Sequence, residues 1–439
     1  MNVGRFLIAI LILTGLIGSL ITGAAFYSHI LYLGLLLVAA AWVWVRILAR
    51  SLRFARQGDS PRASVGDIFK EQYEIINTSR LPGLWVQLLN EMPVPTAAGS
   101  RLLTGLKRGQ KQSYVARTWL TRRGGFPVGP TLLTVSDPLG LFRVEKRFPA
   151  EHSLMVLPNI FRIQSFLSPP GLLPGGPVIH RKSMDITPHA AGIREYAPGD
   201  PMKRIHWPTT ARRGQLMVKV FEQDPQAEIW LFLDAQQKAQ AYKEFETPEM
   251  PLESLLFSRK PRLTLPPSTL EYGISITASL AHYFIAQKRA VGLVTEDRAY
   301  TMLAAERSER QEIKILETLA FLEGKGDLAI AALVGAQARR LPPGSSVILI
   351  TPTVSLDLLI VADDLQRRNL QPVVVLLAAG SFGGHGDTDK LSGQLMEMHV
   401  PVCLVYCDSD LGQTLSIFSD NNIGQDRSAW QKPTLSHLT

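Results

Sequence analysis

The chain has 439 residues, enough for about two to three domains of ordinary size. Its hydrophobic content of 46% with 19% charged residues fits a globular protein that also carries a membrane segment. The formal charge of +8 allows an acidic partner or a membrane surface, but the basic residues are dispersed and no nucleic-acid-binding signature is present, which disfavours a nucleic-acid partner.

The N-terminal fifty residues contain two long apolar runs, at residues 6–27 and 30–45. Each run is close to the roughly 20 residues that cross a bilayer, so residues 1–50 are predicted to form a two-helix transmembrane hairpin. A signal peptide is the alternative. It is disfavoured because no small-residue cleavage site followed by a polar segment precedes the second run.

The positive residues that flank the two runs predict the orientation of the hairpin. Arg5 precedes the first run, and the second run is followed by a set of four arginines, namely Arg46, Arg50, Arg53 and Arg56. The connecting turn carries no Lys or Arg, so both ends are expected in the cytoplasm. We therefore expect an inner-membrane protein with two passes and cytoplasmic soluble domains.

Beyond the hairpin, the composition of the sequence and the spacing of its apolar residues change several times. Residues 59–160 contain short strand-like segments separated by Gly/Pro turns, which predicts a β-sandwich-like domain. Residues 161–224 read as a Pro/Gly-rich linker that leads into a charged motif. In residues 225–419, apolar strands alternate with amphipathic helices, which predicts a doubly wound α/β domain. Residues 420–439 are polar and predicted to be a flexible tail.

The charged motif within residues 192–224 is the most informative stretch. Its candidate functional residues combine charges, aromatics and a turn glycine: Arg194, Tyr196, Gly199, Asp200, Arg204, His206, Trp207 and Arg212. Either they contact a partner or they form the junction between two domains. In the second case the charged members would make a buried ion-pair network, because buried charges need partners, and Trp207 would anchor the junction.

This motif resembles the hallmark of the domain-of-unknown-function-58 family. The matching pattern runs from Arg194 through Gly199-Asp200 to His206-Trp207, and residues 123–130 and 137–142 also fit the family. The resemblance implies a bacterial or archaeal, usually membrane-anchored protein with a von Willebrand factor A-like domain after the motif. It further implies a partnership with a MoxR-type AAA+ ATPase or with a client of that ATPase.

A von Willebrand factor A domain normally binds a divalent cation after its first strand, through Asp-x-Ser-x-Ser. Here the corresponding segment is Asp234-Ala-Gln236-Gln-Lys238, so an amide and an ammonium group replace the two hydroxyls. A lysine ammonium repels a cation. Thr351 stands where an Asp ligand is usual after a later strand. We therefore expect no metal and no cofactor, with Mg²⁺ at Asp234 as the alternative.

Cys403 and Cys407 share an apolar run near the C-terminus. Four residues apart on one strand, their side chains would point to the same face but remain separated along it. Neither a disulfide nor a metal pair is therefore expected, and a reducing compartment is indicated.

These observations predict a non-enzymatic, membrane-anchored cytosolic scaffold or adaptor. It would bind a MoxR-type ATPase or its client through the A-like domain. Two alternatives stay open. One is a metal-dependent, protein-binding module that uses Asp234. The other is a hydrolase that uses His206, for which Thr209 or Thr210 would be the nearest hydroxyl.

Overall fold

The computed structural model describes residues 3–167, 190–197, 202, 205–221, 228–246, 248, 261 and 263–418. The chain divides into two compact units. Unit 1 comprises Met1–Asn159, Glu244–Pro266 and Leu316–Phe321, and unit 2 comprises Ile160–Lys243, Pro267–Ile315 and Leu322–Thr439. The predicted tail, residues 420–439, lies outside the described residues, as do residues 168–189 of the predicted linker.

Unit 1 begins with a pair of apolar helices, α1 (Val3–Thr22) and α2 (Ala25–Ser51). Both are long and apolar enough to cross a membrane, with mean hydropathies of 2.2 and 2.1. Only 6% and 17% of the residues in their most apolar stretches are buried against other parts of the chain, whereas the core helix of a soluble protein would be mostly buried. Two N-terminal apolar helices are therefore present as the sequence predicts.

A largely β domain follows the helices. Its ten strands are β1 (Leu52–Gly58), β2 (Arg62–Ser64), β3 (Ile68–Asn77), β4 (Gly83–Asn90), β5 (Arg101–Leu106), β6 (Lys111–Trp119), β7 (Gly124–Pro127), β8 (Thr131–Ser136), β9 (Arg143–Phe148) and β10 (Ser153–Leu157). They form an antiparallel β1-β3-β6 sheet, an antiparallel β5-β4-β8-β9 sheet and a mixed β2-β10-β7 sheet. The β domain thus begins at Leu52, seven residues before the predicted boundary at residue 59.

The first two sheets share one apolar core, and the last turn of α2 belongs to it. Tyr73 and Ile75 of β3 pack with Val86 of β4, and Leu48 of α2 lies in the same cluster. Leu48 is fully buried, as is Leu52 at 1% exposure. The end of the second apolar helix is therefore a packed part of the β domain. Burial of each of these leucine side chains stabilises the fold by roughly 1.5–3 kcal/mol.

Arg56 has a different place from the one that its sequence position predicts. The sequence places it among the positive residues that flank the membrane, but in the structure it lies inside the β domain against Glu71. The Nε of Arg56 donates to Oε1 of Glu71 at 2.8 Å, and the side chains are 10% and 0% exposed. Burial raises the pKa of the Glu71 carboxyl, and the neighbouring guanidinium opposes this rise. Arg56 therefore fixes the core and is no marker of orientation.

Unit 2 carries a six-stranded sheet with helices. In the described residues, the further strands are β11 (Ala190–Glu195), β12 (Met217–Phe221), β13 (Ile229–Leu233), β14 (Val291–Glu296), β15 (Tyr300–Glu306), β16 (Ser346–Thr351), β17 (Gln371–Leu377) and β18 (Val402–Val405). The further α-helices there are α3 (Trp207–Arg213), α4 (Thr269–Ala286), α5 (Glu309–Ala320), α6 (Ile330–Ala338), α7 (Asp357–Arg367) and α8 (Thr388–Glu397). The sheet order is β15-β14-β13-β16-β17-β18, with only β15 antiparallel.

Both faces of this sheet are covered by helices. All five residues of β13 are buried, which explains why this strand is continuously apolar. Trp230 and Phe232 pack on the side of α6, α7 and α8. Leu233 points to the other side, where it lies within 3.1 Å of the position that a Cβ of Gly273 in α4 would take. The absence of that Cβ lets α4 approach the sheet closely.

Candidate functional site

Asp234 follows the last residue of β13 and is held at the carboxyl edge of the sheet. Its backbone amide donates to the carbonyl oxygen of Ile350 at 3.0 Å, which continues the pairing of β13 with β16. Its side chain is 2% exposed. A carboxyl edge between two central parallel strands is where ligands commonly bind in such sheets. Position alone therefore makes Asp234 a candidate.

The carboxylate of Asp234 accepts three hydrogen bonds. The hydroxyls of Thr351 and Thr353 donate to its Oδ2 at 2.6 and 2.7 Å. The amide of Gln236 donates to Oδ1 at 3.1 Å. Lys238, in contrast, is exposed on the short turn Gln237–Ala239. The two positions that carry serine in a cation site thus contribute one backbone amide and one solvent-facing ammonium group.

Burial dominates the electrostatics of Asp234. It raises the pKa of this carboxyl above the ordinary value of 3.8, and the three hydrogen bonds oppose the rise. The sequence indicated Thr351 but gave no reason to choose Thr353. The only signal for Thr353 is its spacing of two residues from Thr351, whose Oγ1 also accepts from the amide of Thr353 at 2.9 Å.

Two further carboxylates lie at the end of the neighbouring strand β14, and sequence reasoning missed both. Oε2 of Glu296 accepts from the amides of Asp327 and Leu328 at 2.9 and 3.1 Å. Asp297 accepts from the amides of Glu323 and Lys325 at 3.0 and 2.5 Å. Backbone amides of residues 323–328 therefore hold both carboxylates in place. In the described ranges, no group of three or more His, Cys, Asp or Glu side chains could hold a metal ion.

Loops from four strands meet around this edge. Cys407, after β18, donates its amide to Oγ of Ser381 at 2.9 Å, so this loop touches the loop after β17. Gly383 and Gly386 also lie in the loop after β17. Val354, in the loop after β16, lies 3.0 Å from the position that a Cβ of Gly386 would take. The carbonyl oxygen of Tyr242, in the loop after β13, lies 3.4 Å from the position that a Cβ of Gly383 would take. The four loops therefore form one continuous surface.

Large apolar and aromatic side chains are exposed on this surface. Tyr242 is 76% exposed, Leu356 is 68% exposed and Tyr406 is 46% exposed. We call these three residues the carboxyl-edge patch. Leu356 immediately precedes α7, and Ile360, one turn further along that helix, is 67% exposed. Exposed aromatic and aliphatic residues at a sheet edge are typical of a binding surface.

The charged hallmark motif is only partly described. Gly199, Asp200 and Arg204 lie outside the described residues, as does the side chain of Arg194 in β11. The amide of Tyr196 donates to the carbonyl oxygen of Leu216 at 2.8 Å. The predicted buried network is wrong for one member, because Arg212 lies exposed in the last turn of α3.

Trp207 and His206 lie at the start of α3. Trp207 is 64% exposed, unlike a packed anchor. The Nδ1 of His206 lies 2.7 Å from Oγ1 of Thr209, within the same helical turn. The hydroxyl of Thr210 instead accepts from the amide of Met217 at 3.0 Å. Within the described ranges no carboxylate contacts His206, so the base–orienter pair of a catalytic triad is not formed there.

The described part of the chain thus defines a protein with two N-terminal apolar helices and a largely β domain with mixed sheets. Residues 192–248 match the family model described as "Protein of unknown function DUF58". This match confirms the predicted resemblance to the DUF58 family over this segment. The family description assigns no activity, so function has to be argued from the site.

The similar proteins add little beyond the family. The uncharacterized protein YeaD of Bacillus subtilis (strain 168) is 27% identical over 223 residues, which is 48% of this chain and 52% of that protein. The chain thus matches about half the length of this curated relative. The CARDB domain of the PF1109 protein from Pyrococcus furiosus is 10% identical, over 24% of this chain and 87% of that chain, with a TM-score of 0.18.

A second solved structure gives the same result. A β-glucosidase from Erythrobacter marinus is 16% identical over 23% of this chain and 15% of that chain, with a TM-score of 0.16. At these TM-scores neither likeness bears on the fold or the function of this protein.

Proposed function

We propose that this protein is a membrane-anchored cytosolic scaffold that binds another protein through the carboxyl edge of its six-stranded sheet. The observation that carries the proposal is the carboxyl-edge patch, three large side chains that stay exposed where four loops converge. Following the family resemblance, the partner is a MoxR-type AAA+ ATPase or a client of that ATPase. The protein itself is not an enzyme in this proposal.

The sheet is assigned in this proposal to a von Willebrand factor A-like domain. Its support is the mostly parallel order β15-β14-β13-β16-β17-β18, with helices on both faces. Further support comes from Asp234, which directly follows a central strand, and from Thr351 at the end of the adjacent one. Partner binding at this edge would use the location where parallel sheets generally present their binding loops.

The binding in this proposal needs no cation. Mg²⁺ usually retains several of its waters when a protein binds it, so it needs an open position beside its carboxylate ligands. Asp234 is a single carboxylate at 2% exposure, and two threonine hydroxyls and an amide already bind it. These donors stabilise the carboxylate without a metal, which disfavours the metal-dependent module.

The anchoring rests on the two apolar helices, α1 and α2. Their low burial inside the chain leaves a lipid-facing surface that a bilayer would cover. The cytoplasmic placement rests on Arg5, Arg46, Arg50 and Arg53 at one end of the hairpin. Exposed charges of both signs surround the patch, namely Asp357, Asp387 and Asp408 together with Lys243 beside Tyr242.

A single charge in the patch tests the proposal. We expect Leu356→Asp in the full chain, solubilised from membranes with EDTA present, to lower recovery of a purified MoxR-type ATPase by roughly 30-fold. This is the loss that a buried central interface residue gives at about 2 kcal/mol. The measurement is a pull-down with each variant at equal protein concentration.

Met396→Asp is the matched control. Met396 is 54% exposed near the end of α8, and the chain leads from there to the start of β18, so it lies at the opposite, amino edge of the sheet. Recovery should remain at the wild-type level in this variant. The proposal fails if the wild-type chain recovers no ATPase, or if both variants lose binding equally.

A further inference from the structure

Two loops of the β domain lie against the C-terminal end of α2. The loop of residues 78–82 is held there because Thr78 donates both its amide and its hydroxyl to the carbonyl oxygen of Ser51, at 3.2 and 2.6 Å. The loop of residues 107–110 is tied to the first one through Asn77. The backbone amide of Asn77 donates to the carbonyl oxygen of Gln110 at 3.2 Å, and the carbonyl oxygen of Asn77 accepts from the amide of Gly109 at 2.7 Å.

The side chain of Asn77 makes this arrangement rigid. It is fully buried, and its Nδ2 donates to the carbonyl oxygens of Leu81 at 2.8 Å and Leu106 at 3.1 Å. One side chain thus crosslinks the two loops. Both loops are therefore fixed at the level where α2 ends, instead of moving independently of it.

The surface around this helix end is basic. It presents six exposed cationic side chains: Arg46, Arg50, Arg53, Arg80, Lys107 and Arg108. We call these six the basic collar. Residues 46–58, 78–82 and 107–110 contain no Asp or Glu. None of the six forms a salt bridge with another residue in the part of the chain that the structure describes.

The collar lies at the height of lipid headgroups if α2 spans a bilayer. The helix has 27 residues and is therefore about 40 Å long, whereas the hydrocarbon core is about 30 Å thick. Twenty spanning residues from Ala25 onward would place Arg46 at the interface and Ser51 about 8 Å beyond it. This distance is about one Debye length at physiological ionic strength, so charges at both levels act on the headgroups.

The β domain cannot swing away from this position, because α2 continues into its core. Leu48, between Arg46 and Arg50, is 0% exposed within the β domain. On the other helix, the Nε of Arg5 donates to the carbonyl oxygen of Leu141 at 2.9 Å. This bond holds the loop between β8 and β9 beside the start of α1.

We infer that the basic collar binds the headgroups of anionic phospholipids and holds the β domain against the membrane surface. Clusters of Lys and Arg beside a spanning helix recognise anionic lipids through this charge complementarity. A lipid is favoured over other polyanions because the collar surrounds the end of an apolar helix. The inference rests on the membrane anchoring proposed above.

The test uses the full chain in nanodiscs of phosphatidylcholine that contain a small fraction of pyrene-labelled phosphatidylglycerol or pyrene-labelled phosphatidylcholine. Energy transfer from the tryptophans to pyrene reports which lipid lies beside the protein. We expect the wild-type chain to prefer phosphatidylglycerol. Arg80→Gln/Arg108→Gln should lower that preference by up to about fivefold for each charge removed.

Lys70→Gln/Arg122→Gln removes the same charge at the opposite end of the β domain. Lys70 lies seven residues from Asn77 on β3, or about 23 Å, and Arg122 follows β6, whose Trp119 pairs with Ile68. This control should keep the wild-type preference. Equal energy transfer to both labelled lipids, or an equal loss of the phosphatidylglycerol preference in both variants, would overturn lipid binding by the basic collar and leave the membrane anchoring intact. No transfer to either lipid would overturn the anchor as well.

Discussion

Glu71→Ala is expected to destabilise the β domain by about 3–5 kcal/mol, because it leaves the guanidinium of Arg56 buried without its counter-charge. Arg56 is 10% exposed and Nη2 lies 2.6 Å from Oε1 of Glu71. The ring of Tyr73, 5.2 Å from the guanidinium carbon, gives a remaining contact that cannot replace a carboxylate. Hydrogen exchange of the β3 and β6 amides measures this loss locally, which suits a chain with two units.

Two variants separate this effect from ordinary truncation. Glu91→Ala removes the partner of Arg147 from a pair in which the side chains are 39% and 67% exposed, and it should cost less than about 1 kcal/mol. Arg56→Met/Glu71→Leu replaces both buried charges, and it should recover most of the stability that Glu71→Ala loses. If Glu71→Ala costs no more than Glu91→Ala, Glu71 does not stabilise the β domain as a buried counter-charge to Arg56.

Asp234→Ala has the second large effect that we expect. It leaves the hydroxyls of Thr351 and Thr353 and the amide of Gln236 without their acceptor, and Thr351 is 0% exposed. At about 1–3 kcal/mol for each buried group left unsatisfied, a total of roughly 2–5 kcal/mol follows, since Thr353 and Gln236 are only partly buried. Hydrogen exchange of the β13 and β16 amides reports this loss.

The second change Thr351→Val gives the control for Asp234→Ala. It removes one orphaned donor but also the acceptor of the Thr353 amide, so the double variant should cost less than the sum of the two single substitutions. If the two substitutions simply add their costs, the hydroxyl of Thr351 is not stabilised by this carboxylate.

The loss in Asp234→Ala should also depend on pH. The pKa of Asp234 is raised by burial above 3.8, so the native state holds the proton more tightly than the unfolded state. The pH-dependent part of the stability from this group is therefore complete below pH 3.8 and is lost as pH rises through the raised pKa, whereas the contribution of the three hydrogen bonds remains. The deficit of Asp234→Ala should accordingly be largest in acid and smaller at neutral pH.

The regular α/β part of the chain was predictable from the pattern of apolar residues. The run of β13 is continuously apolar because both faces of its sheet are covered, and α7 shows the period of a helix with one buried side. Strand β15 was not predicted. Its residues Tyr300–Glu306 alternate between exposed and half-buried, which a search for buried runs overlooks.

Strand β1 was missed for a different reason. Leu52–Gly58 follows an apolar helix directly and contains Arg53 and Arg56, so it resembles the charged flank of a membrane span. Only its pairing with β3 makes it a strand, and that pairing is a tertiary fact.

The candidate site was less predictable than the fold. Asp234 was indicated by its position after an apolar strand, but the two hydroxyls that it binds lie 117 and 119 residues further along the chain. The exposure of Tyr242, Leu356 and Tyr406 was not predictable either, because apolar residues are found on protein surfaces as well as in cores. Loop contacts decide such cases, and no local pattern encodes them.

The proposed binding surface depends on a carboxylate at Asp234 that binds two threonine hydroxyls and, we propose, requires no cation. The most direct test of this cation independence compares hydrogen exchange of the β13 amides in excess EDTA and in millimolar Mg²⁺. For the wild-type chain we predict the same free energy of opening in EDTA as in Mg²⁺, and Asp234→Ala should likewise show no difference between the two conditions. A ligand at 100 times its Kd stabilises the state that it binds by about 2.7 kcal/mol. If Mg²⁺ raises the free energy of opening by that amount in the wild-type chain but not in Asp234→Ala, cation independence is contradicted.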